Sequence, residues 1–192
     1  WLSTFVDKMK EEAYQNNLLH PKFSQTNVVT GRLSCSDPNF QNIPRGDKLP
    51  IKRVIQSRFD DGEIIEMDFA QLEFRVAAFL SQDSQAIQDI LEGVDVHQNT
   101  ANVIGCDRQT AKAHTFKPLY GGMSGTDEEK KYYSYFRKRY KGITLWQEKT
   151  EDTAISTSFV TLPSGRQYYF EGIKRASWGG SNFYTQVRNY PV

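Results

Sequence analysis

The sequence predicts an α+β fold, a small antiparallel sheet beside a larger helical part, and three observations carry that prediction. Two apolar runs, "KRVIQSRF" (52–59) and "EIIEMDF" (63–69), flank an Asp60-Asp61-Gly62 turn and read as paired strands. From Gln71 the apolar residues Leu72, Val76, Phe79 and Leu80 recur at a helical period. Further on, "SFVTLPSGRQYYF" reads as a hairpin turning at Pro163-Ser164-Gly165.

The elements follow in order. Residues 2–18 read as a helix, with Leu2, Phe5, Val6 and Met9 on one face and Lys8, Lys10, Glu11 and Glu12 opposite. Residues 20–50 are rich in Ser, Asn, Pro and Gly and read as irregular; loops this long are functional or disordered. After the strand pair and the helix from Gln71, helices are predicted at 84–92, 96–104, 107–120 and 127–155. Pro118 falls inside the third, where it removes a hydrogen bond and predicts a kink or an early end. The tail "SWGGSNFYTQVRNYPV" reads as a loop and then a helix.

Composition narrows the function classes. The 192 residues are enough for one large domain or two small ones with a real core, and 38% hydrophobic with 24% charged is the composition of a soluble globular protein. A net charge of +1 is low for a nucleic-acid binder, so any such surface must gather its cations on one face. Cys35 and Cys106 form neither a disulfide framework nor a zinc pattern, and reduced, cytoplasmic thiols are expected. No apolar run reaches membrane-spanning length, and no membrane partner is expected.

Two stretches bear on chemistry. In "DRQTAKAHTFKPLYGG" (107–122), Arg108, Lys112, Phe116 and Tyr120 recur every four residues. On a helix this makes a slowly drifting stripe roughly 18 Å long, cationic and then aromatic. It suits a ligand with an anionic tail and a planar ring; a surface helix with a basic edge, or with buried rings, would give the same pattern. In "IIEMDFAQLEFR", Asp68 stands where a strand ends and a helix begins, which suits a metal ligand and equally an N-cap or turn acid. Glu73 falls in the first turn of that helix, where the macrodipole favours it. Two-metal phosphoryl transfer uses two carboxylates astride its ions. Asp61 is up to about 23 Å from Asp68 along an extended chain, so the second acid is missing from this neighbourhood. The run "KKYYSYFRKRYKGITLW" mixes cations with rings; it could bind single strands or be an amphipathic helix with solvated charges. His20, His97 and His114 lie far apart, which makes a zinc site improbable.

The chain closely resembles the family A DNA polymerases, particularly those of bacteriophages. "TGRLSCSDPNFQNIP" (30–44) resembles a segment of that family, "MDFAQLEFRVAAFLSQD" (67–83) its motif A, and "RQTAKAHTFKPLYGG" (108–122) its motif B, R-x-x-x-K-x-x-x-F-x-x-x-Y-G. Weaker likeness extends through "DVHQNTA", "YFRKRYKGI", "VTLPSGR" and "NYPV". The resemblance implies the start of a right-hand palm and a helical fingers subdomain. Residues 1–19 would end a thumb helix and 20–83 would be palm. Residues 84–188 would be fingers, with the O helix at about 107–120, and 189–192 would return to the palm.

The resemblance also implies roles. Asp68 would bind two Mg²⁺ ions, with the carbonyl of Phe69 completing one coordination sphere. Arg108, His97 and Lys112 would meet the γ-, β- and α-phosphates of a dNTP, and Lys112 could protonate the leaving pyrophosphate. Phe116 would pack on the nucleotide and discriminate against chain terminators. Glu73, hydrogen-bonded to Tyr120, would exclude a ribose 2′-hydroxyl, and Tyr120 would close off the templating base. Arg32 would reach the primer terminus in the minor groove. Asn39, Gln41, Asn42 and Gln71 would line the primer-template DNA, with Asn189 near the templating position.

Motif C, the family's source of a second catalytic Asp, does not occur in the 192 residues. The expected function is template-directed DNA polymerisation in replication, in a fragment inactive by itself. The alternative is a non-catalytic DNA- or dNTP-binding subunit of a split or retired polymerase. Further expected partners are a processivity factor or the complementary polymerase half.

Overall fold

A computed structural model gives the fold and describes residues 6–14, 16–28, 30–43, 51–170 and Val187. The chain forms two compact units, Trp1–Asp68 and Phe69–Val192.

In the first unit, α1 spans Lys8–Ala13 and ends before the residue 18 expected; residues 2–5 of that expectation, with Leu2 and Phe5, lie outside the described residues. Its Met9 is buried and packs with Ile43, Leu19, Phe40, Ile51 and Ile55. The stretch expected to be irregular holds a hairpin of β1 (Lys22–Ser24) and β2 (Ser34–Ser36), antiparallel with Phe23 opposite Cys35. Buried Cys35 fastens the loop after it, since Phe40 N–H donates to its sulfur and its thiol donates to the Pro38 carbonyl, both at 3.4 Å. A 3-10 turn follows at Phe40–Asn42.

The strand pair expected at 52–59 and 63–69 does not form. Residues Ile51–Val54 make a 3-10 turn, and 62–69 hold no regular structure. The turn between them is present, closed by Gly62 N–H to the Phe59 carbonyl at 3.0 Å. A strand needs a partner ladder, and among the described residues none pairs with 63–69. Ile64, Ile65 and Met67 are accordingly exposed, Met67 to 89%. An apolar run can suggest a strand but cannot supply its neighbour.

The second unit is mainly helical: α2 (Leu72–Ser81), α3 (Ser84–Leu91), α4 (Val96–Ile104), α5 (Arg108–Thr115), α6 (Asp127–Arg139) and α7 (Lys141–Thr157). A hairpin of β3 (Phe159–Thr161) and β4 (Gln167–Tyr169) follows, turning at 162–166 as expected. Ala154, Val160, Tyr168, Phe170 and Val187 bury a small core against it. Asp83, Asp95, Asp107 and Thr126 each begin a helix by accepting backbone N–H bonds, the role these residue types serve at N-caps. The main core is aromatic: Phe74, Tyr132, Tyr133, Phe136 and Tyr140 are all nearly inaccessible.

Two expected helices are broken. The one expected over 127–155 splits at Tyr140 (φ −106°, ψ 67°) because Asp83, 4% exposed, intrudes on it. One carboxylate oxygen of Asp83 caps α3 at Ala86 N–H (2.8 Å). The other accepts from Gly142 N–H (2.6 Å) and Ile143 N–H (3.2 Å), so the same side chain caps α7. Only glycine fits at 142, since a Cβ there would come within 2.9 Å of the Asp83 Cα.

The helix expected over 107–120 ends at Thr115, as Pro118 foreshadows. Lys117–Tyr120 continue as a 3-10 turn, with Leu119 N–H to the Phe116 carbonyl (3.0 Å) and Gly121 N–H to the Pro118 carbonyl (3.1 Å). The carbonyls released there find other partners. Tyr132 Oη donates to the Thr115 carbonyl (2.9 Å), and Gln147 Nε2 donates to those of Leu119 (2.7 Å) and Pro118 (3.3 Å).

Candidate nucleotide-binding site

The second unit assembles its site from the start of α4 and the length of α5. Asp95 caps α4 through the N–H groups of His97 (3.0 Å) and Gln98 (3.1 Å). Its other oxygen accepts from Arg108 Nε at 2.7 Å, which ties the start of α4 to the start of α5. That hydrogen bond, ahead of the opposing effect of burial, holds the Asp95 carboxyl below the usual carboxylate range. Arg108 and Lys112 are both exposed, one turn apart on α5. A helix N-terminus already favours anions, and Arg108 adds a full charge to it. In this structure the chain's own Asp95 answers that charge.

His97 is half-buried between these cations and the ring of Phe116. Its Nδ1 lies 3.0 Å from Thr115 Oγ1, and its ring meets Phe116 edge to face at 5.1 Å and 62°. Burial first, then the charges of Arg108 and Lys112, push its pKa below the ordinary histidine value, with Asp95 opposing. At neutral pH His97 is uncharged.

The aromatic end is set by packing. Phe116 is the residue between α5 and the 3-10 turn (φ −101°, ψ 3°), and its ring stacks on fully buried Phe74 of α2 at 6.1 Å and 19°. Phe74 meets Tyr140 edge-on at 5.1 Å, so a column of rings runs from His97 through Phe116 into the core. Tyr120 closes the 3-10 turn and packs against that core. Four residues turn about 480° in a 3-10 helix against about 400° in an α-helix, so Tyr120 is swung off the line that a continuous helix would draw.

Glu73 stands half-buried in the first turn of α2. Gln71 precedes it in the left-handed region (φ 54°, ψ 44°), a conformation that costs a non-glycine residue about 1–2 kcal/mol. In the first unit, Arg32, Gln41 and Asn42 are exposed beside the β1–β2 hairpin. Asn39 caps the turn at Gln41 N–H (3.1 Å), and Gln41 Nε2 donates to the Leu33 carbonyl (2.9 Å). Asp68 is exposed at the end of that unit, and Phe69, its side chain also exposed, opens the next. Asn189 and the expected return at 189–192 lie outside the described residues.

Among the described residues no three His, Cys, Asp or Glu side chains come together to hold a metal ion. Asp68 and the Phe69 carbonyl offer one carboxylate and one backbone oxygen, which do not by themselves fit a two-ion site. Three contributors escaped the sequence reading. Asp95 carries a cap signal, an Asp before a helical run, but nothing marks its bond to Arg108. Thr115 and Phe74 carry no local signal, because their roles exist only once α4, α5 and α2 pack.

Comparison with known proteins bears on this arrangement. The sequence matches the profile of DNA polymerase family A over residues 1–192. It is 32% identical over 181 residues to DNA polymerase I of Streptococcus pneumoniae strain R6, covering 82% of this chain and 20% of that protein. It is 31% identical over 189 residues to the thermostable DNA polymerase I of Thermus aquaticus, covering 87% of this chain and 22% of that one. The chain thus spans about a fifth of these relatives. The fold is similar to the POL domain of Pol1 from M. smegmatis, in complex with DNA primer-template and dNTP. The TM-score is 0.75 at 24% identity, over 99% of this chain and 37% of that one. Among the described residues, no helix is long and apolar enough to cross a membrane.

Proposed function

This chain belongs to DNA polymerase family A, and from that premise we propose that its second unit grips the triphosphate of an incoming dNTP along the edge formed by α4 and α5. The parent reaction is template-directed attack of a primer 3′-hydroxyl on the α-phosphate, with pyrophosphate leaving. The observation that carries the reading is the Arg108–Asp95 bond at 2.7 Å, which joins the starts of α4 and α5, with Arg108 and Lys112 exposed along α5 and His97 of α4 set against the half-buried ring of Phe116.

The chemistry needs what these residues offer. Negative charge accumulates on the phosphoryl oxygens as the bond breaks, and preplaced cations stabilise it without reorganising at that moment. Arg108 meets the γ-phosphate with a forked donor set, and His97 meets the β-phosphate. Lys112 meets the α-phosphate and is the proton source for the leaving pyrophosphate. Phe116, held by Phe74, supplies a rigid face for the base and sugar. Glu73 and Tyr120 exclude a 2′-hydroxyl, which makes the substrate a deoxynucleotide. Arg32, Asn39, Gln41, Asn42 and Gln71 are the proposed DNA contacts. The proposed division remains palm at 20–83 and fingers at 84–188. Asp68 is proposed as a Mg²⁺ ligand, and by itself it does not make a two-ion site.

The test is Lys112→Ala in the polymerase whose chain includes these residues. Primer extension is expected to fall by about 10²–10³-fold, the size of losing one preplaced transition-state donor. Extension within a few-fold of the unmodified protein would overturn the assignment.

A further inference from the structure

We propose that Thr115 is a positioning residue of this triphosphate site: its buried hydroxyl takes the Nδ1–H of His97 and so presents Nε2 to the phosphate. The inference rests on the reading of His97 given above, but the geometry behind it is separate. Thr115 is completely buried. Its Oγ1 lies 2.8 Å from the Ala111 carbonyl and 3.0 Å from His97 Nδ1. A carbonyl has no hydrogen to give, so the single hydroxyl hydrogen belongs between Oγ1 and Ala111. Toward His97 the hydroxyl can then only accept, and Nδ1 must carry the proton. The partner of one ring nitrogen fixes the state of the other.

Thr115 is itself held from two sides. Its hydroxyl is anchored to the preceding turn of α5, and its carbonyl accepts from Tyr132 Oη of α6 at 2.9 Å. Phe116 meets the His97 ring edge to face and limits its tilt. The imidazole is therefore oriented by α5 although it sits on α4.

This tautomer has a consequence. With Nδ1–H committed, a neutral His97 shows phosphate oxygens a bare lone pair at Nε2. It becomes a donor there only by taking up a proton. The charged groups facing it are Asp95 at the start of α4 and Arg108 and Lys112 on α5. On the neighbouring α6, burial pushes the Tyr132 hydroxyl up, so it stays neutral, and Tyr135 lies on the same helix. A bound triphosphate adds negative charge that favours the imidazolium, so dNTP binding takes up a proton at neutral pH. Affinity then weakens as pH rises through the His97 pKa of the complex, by up to about tenfold per pH unit.

The experiment uses the full chain and two variants. Thr115→Val keeps the shape and removes the hydroxyl, and Thr115→Ser keeps the hydroxyl; thermal melts establish that each is folded. Nitrogen-15 chemical shifts of the His97 ring are read without ligand above its pKa. The affinity for dATP is then measured between pH 6 and pH 8. The expected result is Nδ1–H in the unmodified protein and in Thr115→Ser, with a shift toward Nε2–H in Thr115→Val. Because Nε2–H is a donor even in the neutral ring, that variant should lose most of the fall in dATP affinity between pH 6 and pH 8. An Nε2–H ring in the unmodified protein, or an Nδ1–H ring that survives Thr115→Val, overturns the proposal. So does a tautomer change that leaves the pH profile of dATP affinity untouched. If dATP fails to bind even the unmodified protein while the tautomer behaves as described, the nucleotide reading of the site has failed and the Thr115–His97 geometry has not.

Discussion

Arg108 is already engaged before any ligand arrives. Its guanidinium holds Asp95 at 2.7 Å, and both side chains are more than 40% exposed, so solvent screens the pair and keeps it readily exchangeable. An incoming triphosphate must displace that carboxylate. Asp95→Asn retains an N-cap acceptor while removing the competing charge, and titration with dATP at low salt should show affinity about three-fold tighter. Unchanged affinity would mean the pair opens without cost. A second residue with a pH signature is Asp89, 1% exposed on α3. Burial pushes its carboxyl up, but hydrogen bonds from Arg139 (2.7 and 3.0 Å), Tyr140 (2.8 Å) and Gln85 (2.8 Å) outweigh that and hold it below the usual range. A lowered folded pKa gives stability that is present above the unfolded value of about 3.9 and lost as pH falls through the folded one. Melting temperatures at pH 6 and pH 3 should therefore differ more in the unmodified protein than in Asp89→Asn, and equal differences would count against the network.

Elements show which parts of the fold a sequence can carry. The caps at Asp83, Asp95, Asp107 and Thr126, the helical periods and the Pro163-Ser164-Gly165 turn are local features, and each is where the residue types place it. Two of the misreadings are tertiary. Tyr140 interrupts a good helical pattern only because Asp83, nearly sixty positions earlier, reaches the N–H groups of Gly142 and Ile143. The strands expected at 52–59 and 63–69 had the apolar runs and no partner among the described residues. The candidate site divides in the same way: Arg108 and Lys112 are legible as spacing, whereas Asp95, Thr115 and Phe74 depend on helices far apart in sequence coming together. Two variants test the junctions. Gly142→Ala forces a methyl group to within 2.9 Å of the Asp83 Cα and should lower stability by about 1–3 kcal/mol in urea melts. Gln147→Leu leaves the buried carbonyl of Leu119 without its donor and should cost about 1–3 kcal/mol by the same measurement. A neutral result for either would mean that the neighbouring backbone relaxes freely.

On the scale of the whole molecule, the proposed roles fall in two units. The second carries a packed aromatic core, and its cationic edge is braced by that core through Phe116 and Phe74. The first ends in residues 63–68, whose Ile64, Ile65 and Met67 are exposed and whose Asp68 is the proposed metal ligand. The match to DNA polymerase family A across residues 1–192 covers both units, and the central claim concerns the second: that the edge of α4 and α5 is where a dNTP's triphosphate lies. Its most direct measurement is the acylation rate of each lysine, read by mass spectrometry with and without saturating dATP. Lys112 is exposed and should react readily alone, then be strongly protected by dATP but not by deoxyadenosine, while exposed Lys141 and Lys149 react at unchanged rates. A Lys112 that reacts equally fast with and without dATP would contradict the account.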